Sequence, residues 1–197
     1  MKVRTLLAIV AVTVLLCAPA AFSQNLLTNG GFETGDFTGW TTGGNFEDTE
    51  VVSGAFYDYT GAQEGSFYAV LGPVSSDGTL SQSFNTTAGT QYTFSFWIAS
   101  VGDNPSDFSA YWDGTQIYSV TNPDTGANWS QLSFTETGTG HDTIQFNFRD
   151  DPAYIGLDNV SVTAQSGQGT VPEPSSFLLM GSGALALAGV IRRKLLG

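Results

Sequence analysis

Between Gln24 and Gln165 the sequence holds one cation, Arg149, against seventeen carboxylates. The residues around that arginine suit one kind of chemistry. Gln145, Asn147 and Arg149 alternate along one segment and so share a face. Each carries a planar amide or guanidinium that can meet a sugar hydroxyl. Trp97 and Tyr111, on the non-core phase of two other segments, offer flat aromatic surfaces for the apolar side of a pyranose. Trp97, Tyr111, Gln145, Asn147 and Arg149 are therefore the candidate carbohydrate-binding residues. The competing reading pairs Arg149 with the adjacent Asp150 and Asp151 to hold a loop, and leaves the polar face as solvated surface.

Groups suited to catalysis are sparse. The single histidine, His141, lies in Gly138-Thr139-Gly140-His141-Asp142, which reads as a hairpin turn. The chain lacks Gly-x-Ser-x-Gly, His-Glu-x-x-His and a phosphate loop. Glycoside hydrolysis needs two acids facing each other across a cleft, whereas Asp150 and Asp151, adjacent in an extended segment, point to opposite sides. No catalytic residues are assigned, and the chain reads as a non-enzyme. So anionic a centre repels phosphate backbones, which excludes nucleic acid as a partner. After Cys17 there is no cysteine, so stability must come from packing, hydrogen bonds or a hard cation.

The elements that must position these residues are strands. Tyr92, Phe94, Phe96 and Ile98 alternate with Thr93, Ser95 and Trp97, so Trp97 faces away from the core. Phe108–Trp112 runs through Asp113-Gly114, a hairpin turn, into Gln116–Val120. Ile144, Phe146 and Phe148 are the inward phase of the segment that carries Gln145, Asn147 and Arg149. Leu80, Gln82 and Phe84 mark an earlier strand; Asp158, Val160 and Val162 mark the last. Trp112 keeps the inward phase of Phe108, and Trp40 and Trp129 read as packing residues. Short strands separated by Gly, Asp and Asn turns predict an all-β sandwich or barrel over 24–165.

Two motifs at the ends of that region sharpen the expectation. Asn25-Leu26-Leu27-Thr28-Asn29-Gly30-Gly31-Phe32-Glu33 with Trp40 is one, and Leu157-Asp158-Asn159-Val160-Ser161-Val162 is the other. With Leu80…Gln82…Phe84 and the Tyr92–Trp97 strand they resemble the jelly-roll carbohydrate-binding modules, or galactose-binding-like domains. The resemblance implies a jelly-roll β-sandwich whose first and last strands lie side by side, often tied by a structural Ca²⁺. Carried over, the metal residues are Glu33 and Asp158. In the alternative, both acids only accept hydrogen bonds from turn amides. The same fold serves glycan binding, adhesion and plain structural roles.

The termini read as sorting devices. Lys2 and Arg4, the apolar run Leu6–Leu16, and small residues at Ala21 and Ser23 form a signal peptide over 1–23, with cleavage before Gln24. Cys17 follows two leucines, which does not suit lipidation. A linker over 166–171 leads to Pro172-Glu173-Pro174-Ser175, an apolar run over 177–191 and the basic tail 192–194. That run would span about 22 Å as a helix, short of the roughly 30 Å hydrocarbon core, with its arginines snorkelling on the cytoplasmic side. Residues 172–197 resemble the PEP-CTERM sorting signal. The resemblance implies an exosortase-type membrane partner, transient anchoring in the inner membrane, and release to the cell surface or an exopolysaccharide matrix. A plain tail anchor is the alternative. The combined expectation is an exported, non-catalytic glycan binder; a structural or adhesive matrix protein and a glycoside hydrolase are the other readings.

Overall fold

The computed structural model describes residues 24–165; the expected signal peptide, linker, sorting motif and apolar helix lie outside the described residues. Ten strands follow in order: β1 Thr41–Gly44, β2 Thr49–Ser53, β3 Phe67–Leu71, β4 Gly78–Asn85, β5 Gln91–Ala99, β6 Ser106–Trp112, β7 Thr115–Thr121, β8 Ser130–Thr137, β9 His141–Asp150 and β10 Ile155–Ala164. They form two five-stranded antiparallel sheets. The first runs β1-β4-β9-β6-β7 and the second β2-β3-β10-β5-β8. The fold is a jelly-roll β-sandwich.

Alternation decides what enters the space between the sheets. Along β9, Asp142, Ile144, Phe146, Phe148 and Asp150 are buried, while Gln145, Asn147 and Arg149 face outward. Along β5, Tyr92, Phe94, Phe96 and Ile98 are buried and Trp97 faces outward. The two strands meet across the core, where Phe96 lies 5.0 Å from Phe146 and 5.7 Å from Phe108, centroid to centroid. Trp112 joins them against Phe84, and Trp40 stacks on Phe32. Each such ring removes enough apolar area from water to contribute about 2 kcal/mol. Trp129 packs instead in a smaller cluster with Tyr59 and Tyr68, and its indole N–H donates to the Gly61 carbonyl.

Local chemistry explains the joints. Asp113 (φ 46°) and Gly114 (φ 76°) close the β6–β7 hairpin, since both central positions of such a turn are left-handed. The N-terminal segment is laid along β10: the Asn25 Oδ1 accepts from Val162 N at 2.9 Å and its Nδ2 donates to the Val160 carbonyl at 3.1 Å. Gly30 is required because a Cβ there would collide with that same Val160 carbonyl oxygen.

Two expectations change. Gly138–Gly140 does not close a hairpin; it crosses from β8 in the second sheet to β9 in the first. The last strand begins at Ile155, and Asp158 is its fourth residue, just before a bulge that ends at Ser161. That bulge is what lets Asp158 and Asn159 both turn toward the 63–64 turn.

Candidate functional site

Four of the five candidate sugar-binding residues share the outer face of the first sheet. Register places Tyr111 across from Gln145, Ser109 across from Asn147 and Asp107 across from Arg149. On the other side of β9, Ser81 lies across from Gln145 and Thr79 across from Asn147. The polar groups are partly engaged with one another: the Tyr111 hydroxyl donates to Gln116 Oε1 at 3.1 Å, and Gln145 Nε2 donates to Asn147 Oδ1 at 2.6 Å. The Arg149 Nε has no hydrogen-bond partner. Its facing acid is Asp107, not Asp150, which points inward. Burial pushes Asp107 up, the Asp77 charge adds to that, and Arg149 pulls it back.

Trp97 is not on this face. β5 pairs with β10 and β8, so its outward residues belong to the second sheet, on the opposite side of the sandwich. Strand phase tells inward from outward but does not tell one outer face from the other, which is why the five residues looked like one set. Trp97 lines a cavity of about 410 Å³ with Ser95, Gln131, Gln63, Glu64 and Asn159. With Asn25 and Ser161 also in its lining, the cavity sets an indole among four carboxamides, a carboxylate and two hydroxyls. Asn159 is the organiser of one wall: its Nδ2 donates to Gln63 Oε1 and, at 3.2 Å, to Glu64 Oε2. Gln63, Glu64, Gln131 and Asn159 escaped sequence reasoning because they come from a turn, an edge strand and a bulge. Only long-range pairing assembles them.

The same turn meets the two expected metal residues. Glu33 Oε1 accepts from Ser66 N at 2.9 Å and Phe67 N at 3.0 Å. Asp158, fully buried, accepts from Gln63 N at 2.8 Å through Oδ2 and from Asn159 N at 2.7 Å through Oδ1. Burial pushes the Asp158 carboxyl up; those amides pull it back, the Glu33 charge raises it again, and it settles at about 6. The two acids come close to a common point, since a Cβ on Gly31 would lie 3.9 Å from Glu33 Cγ and 4.0 Å from Asp158 Oδ1. Amide acceptance thus holds as the alternative foresaw. A hard cation would find spare lone pairs on Glu33 Oε2 and Asp158 Oδ1, which accept one amide each, whereas Glu33 Oε1 and Asp158 Oδ2 already accept two.

Two more aspartates are fully buried, both on β9. Burial raises Asp142, but the Thr86 hydroxyl, the neighbouring Asp113 and the amide and hydroxyl of Thr139 outweigh it and hold Asp142 down at about 2. Asp150 is the reverse case. Burial and then the Asp103 charge push it up to about 7, and the amides of Ala153 and Asp151 lie near without reaching hydrogen-bond geometry. His141 is exposed, with Nδ1 3.1 Å from Asn85 Oδ1.

Residues 170–194 match the model of the PEP-CTERM protein-sorting motif, a mark of exported, membrane-processed proteins. No curated protein sequence matches the chain. Among solved structures, a TmCBM61 module in complex with beta-1,4-galactotriose is similar at 22% identity and TM-score 0.59, covering 73% of this chain and 100% of its own. The CBM22-1 xylan-binding domain of Paenibacillus barcinonensis Xyn10C follows at 19% identity and TM-score 0.52, covering 74% and 97%. The K1 cleaved adhesin domain of the Lys-gingipain of Porphyromonas gingivalis W83 matches at 15% identity and TM-score 0.52, covering 75% and 100%. The chain is a jelly-roll sandwich similar in fold to carbohydrate-binding modules, followed by a PEP-CTERM sorting motif.

Proposed function

We propose that the sandwich is a non-catalytic glycan-binding domain that takes a sugar in the Trp97 cavity, on a protein processed by an exosortase-type enzyme and delivered to the cell surface or its exopolysaccharide matrix. The observation that carries this reading is the cavity itself. It sets an indole beside Gln63, Gln131 and Asn159 in about 410 Å³, the size class of a small-ligand site. Carboxamides fix the hydroxyls and the indole covers the apolar face of the ring. A Ca²⁺ held by Glu33 and Asp158 belongs to the same proposal. When bound it would offset two close carboxylate charges and stiffen the 63–66 turn that forms one wall.

A second reading has its own support. Arg149, the one cation of a strongly anionic domain, stands with Tyr111, Gln145 and Asn147 on the outer face of the first sheet. The two surfaces are separable by mutation. Retention of the full-length protein on purified matrix polysaccharide is measured for wild type, Trp97→Ala and Arg149→Ala. Loss of retention in Trp97→Ala alone supports the cavity, and loss in Arg149→Ala alone moves the site to the first sheet. Retention unchanged in both variants, with no saturable binding on a glycan array, removes the glycan reading and leaves a structural or adhesive matrix protein.

A further inference from the structure

The far end of β9 carries a problem that the proposed sugar site does not use. Asp150 is 0% exposed, and neither of its carboxylate oxygens has a hydrogen-bond partner. Asp103, in the loop before β6, brings a third buried oxygen, Oδ2, that is also unpartnered. Burying an unpaired carboxylate is among the costliest arrangements a fold can hold, and two near each other compound the cost.

Possible donors around them are spoken for. The Tyr59 hydroxyl donates to the Tyr154 carbonyl, with that of Ala99 at 3.3 Å. The Ser100 hydroxyl donates to the Pro123 carbonyl at 2.6 Å, and the Ser106 hydroxyl to the Asp103 carbonyl at 2.7 Å. Arg149, though adjacent in sequence, lies on the outer face of the sheet. The loops at this end are built with Pro73, Pro105 and Pro152, which have no N–H to offer. What the prolines supply is carbonyls: Pro73 O accepts from Asp150 N at 3.3 Å and Pro105 O accepts from Asp151 N at 3.1 Å. A carbonyl oxygen has two lone pairs, so each keeps one.

The end is thus rich in acceptors and poor in donors: the amides of Ala153 and Asp151 approach the Asp150 carboxylate, but neither reaches hydrogen-bond geometry. We infer that Asp103 and Asp150 bind a divalent cation of the Ca²⁺ class, at a site separate from Glu33 and Asp158. A hard ion takes six to eight oxygens, and two carboxylates with neighbouring carbonyls and water match that requirement. The described residues hold no group of three or more acidic, histidine or cysteine side chains, so carbonyls and water must complete the shell. The ion ties the loop before β6 to the end of β9, the junction where both sheets hand over their strands.

The test is Ca²⁺ titration calorimetry and Tb³⁺ luminescence, excited through the aromatic side chains, on the purified full-length chain. Wild type is compared with Asp150→Asn, Asp103→Asn and Asp158→Asn. The expected result is that Asp150→Asn and Asp103→Asn each lose the same one equivalent, or bind it at least tenfold more weakly, while Asp158→Asn keeps it. Asp103→Asn sits in a half-exposed loop and keeps the test usable should the Asp150 variant misfold. Ion uptake equal to wild type in both Asp150→Asn and Asp103→Asn overturns the inference. Absence of any uptake by wild type overturns it too, and leaves the pair sharing a proton.

Discussion

β9 buries a carboxylate at each end, and the two ends treat it in opposite ways. Asp142 and Asp150 sit in the same inward phase of one strand, and both are 0% exposed. Around Asp142 the chain supplies donors. Thr139 gives its amide at 3.0 Å and its hydroxyl at 2.9 Å, and the Thr86 hydroxyl closes the other side. Around Asp150 it supplies carbonyls and prolines. Burial alone therefore does not fix the state of an acid. The donors brought by the neighbouring loops decide it, and here they separate two aspartates of one strand from about 2 to about 7. Asp158, with its amides, falls between them at about 6.

The sharpest way to break this comparison is to remove the satisfied acid. Asp142→Ala removes the shared acceptor of the Thr139 amide and of the Thr86 and Thr139 hydroxyls, three bonds of about 1 kcal/mol each, so urea unfolding should show a loss of about 3 kcal/mol. Asp158→Ala, measured in chelator, frees the amides of Gln63 and Asn159 and should cost about 2 kcal/mol. Acid supplies the next contrast. Because Asp142 is held below its ordinary value of 3.8, its stabilisation is fully present above that pH and is lost as pH falls toward about 2. Asp142→Asn should therefore flatten the stability curve between about pH 4 and 2, and an unchanged curve would show that the Thr86 and Thr139 bonds contribute nothing net. The smallest effect is expected at the bare acid. In chelator, Asp150→Asn breaks no hydrogen bond and removes a buried charge, so stability should stay within about 1 kcal/mol of wild type or rise. A loss there as large as that of Asp142→Ala would erase the distinction between the two ends.

Much of the scaffold was legible in the residues. Alternation in β5, β6 and β9 gave the inward faces correctly, Asp113-Gly114 turned as expected, and Trp112 and Trp129 went to core and edge. Gln82 shows where phase outranks residue type. It was read only as marking a strand with Leu80 and Phe84, and it is buried with them because its carboxamide pairs with both the N–H and the carbonyl of Thr28, at 2.7 and 3.0 Å. The candidate site was legible only in part. Tyr111, Gln145, Asn147 and Arg149 do share a face, but Trp97 left the group, and the turn and bulge residues that surround it were not foreseen.

By itself the sequence determined the all-β pattern, the inward and outward phase of β5, β6 and β9, the anionic charge and the Pro-Glu-Pro sorting motif, because these rest on local periodicity and residue type; β1, β2, β3 and β8 showed only in the fold. The tertiary structure alone decided which outer face each outward residue joins, which loop donors reach which buried acid, and that none completes a hydrogen bond to the Asp150 carboxylate. Those outcomes depend on pairing between residues tens of positions apart, and a two-residue period carries no information about which distant strand becomes the neighbour.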